Sequence, residues 1–474
     1  MSADVIGFSL LVMGVFLIIG KLIRVKVKLF QSLFLPSSII GGFAALLLGP
    51  QVLGNALAPL AGEDSFWSSG LLTENMTVVW EALPGLMINV IFASLFLGKT
   101  TPSLKKIWHN GGPQLAFGWT IGWGQYVIGL LIALLILTPF FDIPPMAGAL
   151  IEIGFEGGHG TAAGLQGTFE DLGFPEAYDL AIGLATIGVL SGVIFGIVLI
   201  NIAVRKGETQ IAQKQSKFSD LQKLGIREFE NRESAGTMTL RQESIEPLSF
   251  HFAMIGIAIL IGYALQQAFI GVEAITWGPM TDTYVMTYIP LFPLAMVGGI
   301  LLQMFLDKFD RFNTVDRRMV MRIQGLSLDI LIVTAIGTIS LSVIGEFFVP
   351  FLLLAVGGIG WNLLAFKLFA KKMIPTYWFE RSIGDFGQSM GITATGLLLM
   401  RIVDPEVETP ALEAFGYKQL IYEPFLGGGL VTALSVPVIY SLGAVPFLIF
   451  AFVMALIGWA VGIFYFGKQA VEPR

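Results

Sequence analysis

The stretch Pro144–Glu170, PPMAGALIEIGFEGGHGTAAGLQGTFE, decides how the chain must be read. It is apolar enough to enter a bilayer and too broken to cross one as a single helix. Gly157, Gly158, His159, Gly160 and Thr161 stand at its centre, and glycine supplies the φ > 0 conformations of a tight turn. Each flanking arm has about 13 residues, or about 20 Å if helical, short of a hydrocarbon core of roughly 30 Å. The economical picture for 143–170 is a helical hairpin that dips in from one side and returns to it. Irregular backbone is tolerated at membrane depth only where protein or water surrounds it. The turn is therefore a candidate site, or else its glycines serve close helix packing.

The rest of the chain supports a bilayer setting. Its 474 residues are 55% hydrophobic and only 13% charged, where a soluble domain carries about 25% charged residues. Runs such as Val5–Ile23, Pro113–Thr138 and Ala181–Ala203 are long enough to cross. Hydropathy places spans at 5–23, 29–49, 78–97, 113–138, 179–204, 249–270, 284–306, 323–344, 346–370, 418–442 and 445–467. The chain has no cysteine, which excludes disulfides, thiol catalysis and Cys-based metal centres. Its three histidines are scattered, and no protease signature or nucleotide loop is present. Gly154–Gly160 lacks the Lys and Ser/Thr of a P-loop. The reading is a non-enzyme with no nucleic-acid partner.

Basic residues orient the spans. Lys21, Arg24, Lys26 and Lys28 follow the first apolar run instead of preceding it. That favours a retained first helix, no signal peptide and an outside N-terminus. With that start, all 28 Lys and Arg fall inside, including Arg381, Arg401, Lys418, Lys468 and Arg474. The outside segments hold acids only, among them Glu63, Asp64, Asp142, Glu170, Asp171 and Asp282. The expected location is a bacterial-type inner membrane with a cytoplasmic C-terminus. Segment 205–248 carries eight basic and seven acidic residues and reads as a solvated connector. A regulatory helix around Asp220–Arg232 is the alternative.

An internal repeat organises the spans. Pro36 precedes Gly41-Gly42 as Pro293 precedes Gly298-Gly299; Gly85…Asn89 matches Gly325…Asp329; Gly154-x-x-Gly157 matches Gly384-x-x-Gly387. Each half has five spans, so the second half begins on the opposite side and the repeat is inverted. The expected organisation is 1–204, linker 205–248, 249–442, and an extra helix and tail at 443–474. The fold class is an all-α polytopic membrane protein of two inverted five-helix repeats, each with a re-entrant hairpin. The second hairpin, 375–401, turns within Gly384–Gly391 and enters from the inside.

A break at mid-membrane frees carbonyls that suit Na⁺ and helix N–H groups that suit a carboxylate. Thr161, Ser389, Thr393 and Thr395 add hydroxyls. Asn89 and Asp329 are either site residues or partners in an interhelical hydrogen bond. Glu152 and Glu156, one helical turn apart, bind a cation, relay a proton or face a vestibule. Asp385, at the second turn, is the favoured acid, since an intramembrane charge usually has a role. Arg381 and Arg401 hold a substrate carboxylate or anchor the hairpin at the headgroups.

Gly157-Gly-His-Gly-Thr-Ala-Ala163, within a re-entrant segment after the fourth span, resembles the sodium:glutamate symporter family over roughly 5–442. The resemblance implies Na⁺ as coupling ion, glutamate or a related acidic amino acid or dicarboxylate as substrate, a homodimer and elevator-like alternating access. The two hairpins then meet at the substrate, with Gly157, Gly158, His159, Gly160, Thr161, Arg381, Gly387, Gln388, Ser389, Gly391 and Thr393 lining it. The cation falls to Asn89, Glu156, Thr161, Asp329, Asp385 and Thr395. Two features depart from the pattern: the second hairpin reads Gly387-Gln-Ser-Met-Gly391, and the linker and eleventh span are additions. An H⁺-coupled carrier of another organic anion is the competing reading.

Overall fold

The computed structural model describes residues 2–33, 35–62, 65, 69–99, 104–211, 221, 224–227, 229, 232–281, 285–404 and 408–468. Glu63, Asp64, Asp282, Arg474 and much of the proposed Asp220–Arg232 helix lie outside them. The described residues form helices and no strand. A helix satisfies its own backbone groups, which a bilayer demands. Eleven helices among the described residues are long and apolar enough to cross.

The principal helices are α1 (Ala3–Lys26), α2 (Ser37–Leu48), α3 (Glu74–Ser94), α4 (Leu104–Ile132, continuing helically to Phe141), α5 (Leu150–Phe155), α6 (Gly158–Gly164), α7 (Gln166–Asp171) and α8 (Glu176–Lys206). The second half contributes α9 (Pro247–Ile275), α10 (Leu291–Phe309), α11 (Arg317–Gly337), α12 (Phe348–Met373), α13 (Trp378–Val403), α14 (Ala411–Tyr422), α15 (Leu430–Leu442) and α16 (Ala444–Ala460).

By length and composition the eleven include α13, expected as the interrupted segment 375–401 and non-helical at Gly391 and Ile392, and omit the expected span 418–442. The expected span 418–442 is two helices, α14 and α15, separated at 423–429. Pro424 removes a backbone donor, and Gly427 and Gly428 take φ of 68° and 100°, which ends a helix. Averaged hydropathy misses this because Glu423-Pro-Phe-Leu-Gly-Gly-Gly is still largely apolar.

The chain divides into two compact units, each drawn from both halves. The first comprises residues 1–100, 163–167 and 218–343, hence α1–α3 and α9–α11. Its packing repeats itself. A Cβ on Gly41 would lie 2.6 Å from the Phe16 carbonyl on α1, and one on Gly42 would lie 2.7 Å from Ile336 on α11. In the other half, Gly298 lies against Ala258 on α9 and Gly299 against Ala93 on α3. Each glycine pair thus seats its helix between the first helix of its own half and the third of the other, at the close approach small residues permit. Around them Met13, Phe16, Ala45, Trp80 and Val333 form a buried core, and the Trp80 indole donates to the Ser9 carbonyl at 3.1 Å.

The second unit, residues 101–162, 168–217 and 344–474, holds α4, α5, α8 and α12–α16. Its α16 leaves Val445, Ile449, Phe450 and Phe452 exposed, the apolar surface that lipid, not water, accommodates.

Candidate functional site

Two chain reversals define the centre of the second unit. After the Pro144-Pro145 corner the chain runs back along α4. Gly148 lies against Gly129 and Leu130, Tyr126 hydrogen-bonds Glu152, and Gly122 faces the Glu156 carboxylate. The arm thus stops at the midpoint of α4. Gly158 at φ 69° turns it, and α6 leads away. The chain therefore bends at Glu156–Gly158, within the glycine cluster.

The second reversal lies inside α13. Gly391 (φ −160°, ψ 53°) and Ile392 (φ 63°, ψ 169°) are not helical. A Cβ on Gly387 would lie 2.8 Å from Gly396 Cα, and Gly384 faces Met400. An unbroken helix would hold 387 and 396 about 13 Å apart, so the chain doubles back. The turn falls at the last residue of the expected Gly384–Gly391 stretch; Gly384 and Gly387 instead let the two arms touch. The first arm runs along α4 from its other end: Arg381 contacts Asn110 and Gln114, and Ser389 contacts Gln125. The tips come together, since a Cβ on Gly158 would collide with Ile392 Cγ2, and Gly188 on α8 faces both Phe155 and Met390.

Breaking α13 at 391 leaves the Ser389 carbonyl without its helical N–H partner. Two amides replace it. Gln125 on α4 donates to this oxygen at 2.6 Å, and Asn362 on α12 donates at 3.2 Å. The threonines do matched work: Thr161 donates to the Gly157 carbonyl and Thr395 to the Gly391 carbonyl, each four residues past its tip. The Thr186 hydroxyl lies 3.0 Å from the Ile182 carbonyl and 2.9 Å from His159 Nε2, which ties His159 to α8.

The acids at the tips are buried and differ in company. Glu152 accepts from the Tyr126 hydroxyl (2.6 Å), the Gly427 N–H (2.9 Å) and the Thr432 hydroxyl (2.8 Å). The α14–α15 break thus supplies one of its donors. Glu156 accepts from the Tyr422 hydroxyl through Oε2. Lys418 on α14 reaches Asp385 at 3.4 Å and donates to Gln388 Oε1. Gly111, Gly118 and Gly122 clear the face of α4 on which α14 lies. Among the described residues, the buried oxygens at the tips that meet no partner at good hydrogen-bond geometry are Glu156 Oε1, Ser389 Oγ, Gln125 Oε1 and both oxygens of Asp385, with Ser389 close to Glu156. Oxygens alone are what a hard cation takes. No three His, Asp or Glu side chains converge among the described residues, so a cation here would be met by mixed oxygens.

The other expected residues are dispersed. Gly160 is buried in α6. Thr393 donates to Glu423 at 3.1 Å. Arg381, buried, donates to Gln114, Thr376 and the Asn110 carbonyl, while Arg401 is exposed. Asn89 and Asp329 belong to the first unit, on α3 and α11, which pack together. Lys418, expected among the cytoplasmic basic residues, is fully buried and therefore says nothing about sidedness. Sequence reading also passed over Gln125, Tyr126, Asn362, Tyr422 and Thr432. Polar residues at the centre of apolar runs are the only trace these leave.

Broken helices meeting at mid-height around buried, partly unpartnered oxygens are the make-up of a multi-pass membrane carrier. A family model described as sodium/glutamate symporter matches residues 72–404, and the chain belongs to that family. It is a family of transporters, with sodium as the coupling ion. No curated protein matches the chain.

Proposed function

We propose that this chain is a Na⁺-coupled symporter of glutamate or a related acidic amino acid or dicarboxylate, and that its reversals are re-entrant hairpins entering from opposite faces. The observation that carries the reading is the meeting of the two tips at the midpoint of α4, with Glu156 opposite Gly122 and Ser389 bonded to Gln125. Sodium fits the unpartnered oxygens of Glu156, Ser389 and Gln125. The substrate lies against the glycine-rich tips, at Gly157–Thr161 and Gly387–Thr393. The matched glycine packing of the first unit supports the inverted repeat. A unit that holds both tips and a unit that holds neither suit an elevator movement, in a homodimer. The bacterial inner membrane, with the N-terminus outside, fits the segregation of basic residues. Sodium entering with substrate gains about 2.3 kcal/mol per 100 mV for each net charge moved inward.

The test is uptake of radiolabelled glutamate and dicarboxylates into proteoliposomes. A sodium gradient should drive accumulation and a proton gradient alone should not. Sidedness is read with single cysteines, since the chain has none. Asp171→Cys, at the base of the first hairpin, should react with an impermeant thiol reagent from outside, and Arg401→Cys from inside. Labelling of both from the same face would refute the inverted arrangement.

A further inference from the structure

We infer that Lys418 is a tethered counter-cation, its ammonium standing beside Asp385 where a sodium ion would otherwise be drawn, so that this carboxylate takes no part in sodium coupling. The inference rests on the Na⁺-symport reading above and assigns a residue outside the matched segment 72–404.

The surroundings of the ammonium are those of a cation site. Asp385 Oδ1 lies at 3.4 Å, Gln388 Oε1 accepts from it, and the Tyr422 ring centroid is 3.8 Å away. Both side chains of the ion pair are wholly buried, so water screens neither. Gln114 and the Arg381 guanidinium also lie near Asp385, but that guanidinium donates to Gln114, Thr376 and the Asn110 carbonyl. Among the described residues the lysine is the group in ion-pair contact with the carboxylate. Removing one partner of a buried pair leaves a charge that must find another. Asp385 and Gln388, one helical turn apart on the same arm, then present oxygens to a hard monovalent cation. A covalently held ammonium is always present, whereas a dissolved ion binds and leaves. Glu156 feels the Lys418 charge at longer range but forms no ion pair with it, which leaves its Oε1 to a free ion.

The experiment counts sodium. Purified full-length protein is titrated with ²²Na⁺ without substrate, and the Na⁺ dependence of uptake is measured in proteoliposomes. Lys418→Gln should bind one more sodium per chain than the parent, and its Hill coefficient should rise by up to about one. The double variant Lys418→Gln with Asp385→Asn, neutral and nearly isosteric, should return to the parent count. An unchanged count in Lys418→Gln overturns the inference, as does a double variant that binds one sodium fewer than the parent. The double variant decides the matter if Lys418→Gln alone does not fold. If the parent binds no sodium, the symport reading fails, and the lysine inference falls with it; failure of the lysine inference alone leaves the parent's sodium binding intact.

Discussion

The two reversals bend the chain at the same level of α4 and do so by different means. The first turns on Gly158, at φ 69°, a conformation that costs glycine nothing. The second turns on Ile392, at φ 63° and ψ 169°, a region almost closed to a β-branched residue. Each is pinned by a threonine hydroxyl on the tip carbonyl. The first carries an acid with an unpartnered oxygen, Glu156, and the second an acid balanced by Lys418. Two turns at one level of the same helix thus need not share chemistry. One tip is relaxed and its acid forms no ion pair; the other is strained and its acid is paired.

The largest effect is expected where the tips touch. Gly158→Val places a β-branched residue at positive φ, worth on the order of 1–2 kcal/mol, and drives its Cβ into Ile392, with overpacking of roughly 1–3 kcal/mol more. Uptake should fall below detection while the protein stays monodisperse on size exclusion. Gly158→Ala should lose most of its activity for the same two reasons. Adding Ile392→Ala to Gly158→Ala should recover part of it, because the colliding methyl is gone and the sites are coupled. Normal uptake by Gly158→Val would break the claim that the tips meet.

Next in size is the freed carbonyl of the second tip. Gln125→Ala and Asn362→Ala each withdraw one of the two donors to the Ser389 oxygen. A buried acceptor left unpaired costs about 1–3 kcal/mol, but here the other amide remains, so each single variant should lie near the low end. Gln125 also donates to Asn362 Oδ1 at 3.1 Å, a bond that either single variant already breaks, so the double variant should lose more than the larger single loss, measured by thermal unfolding in detergent. A double loss no greater than the larger single one would mean the two amides do not serve one oxygen.

The sequence points to one turn position in the first segment and only to a region in the second, for a physical reason. Gly157, Gly158 and Gly160 interrupt an apolar run that is otherwise helical, so the turn has one place to be. In the second, Gly384, Gly387 and Gly391 are spread over two helical turns, and only the last bends the chain. The others let its arms pack, and sequence alone does not separate a glycine that turns from one that makes room. Gln125 and Asn362 escaped because an uncharged amide barely lowers the hydropathy of a long span. Lys418 was misplaced because a lysine near the end of an apparent span is normally a headgroup anchor. Its burial depends on the break at Pro424–Gly429 and on the glycines of α4, which bring α14 to it.

The smallest effect isolates the strain itself. Ile392→Gly removes a half-buried side chain, a loss of about half the roughly 1.5–3 kcal/mol for full burial, and adds unfolded-state freedom worth about 0.5–1 kcal/mol. Against this it relieves a backbone conformation costing on the order of 1–3 kcal/mol. The terms nearly cancel, so the unfolding temperature should move by little in either direction. Ile153→Gly, at a fully buried position in regular helix α5 of the first reversal, has no strain to relieve. It should lose on the order of 2–5 kcal/mol from the cavity alone. Comparable losses at 392 and 153 would mean that the second tip is not strained, and the contrast between the reversals would reduce to their charges.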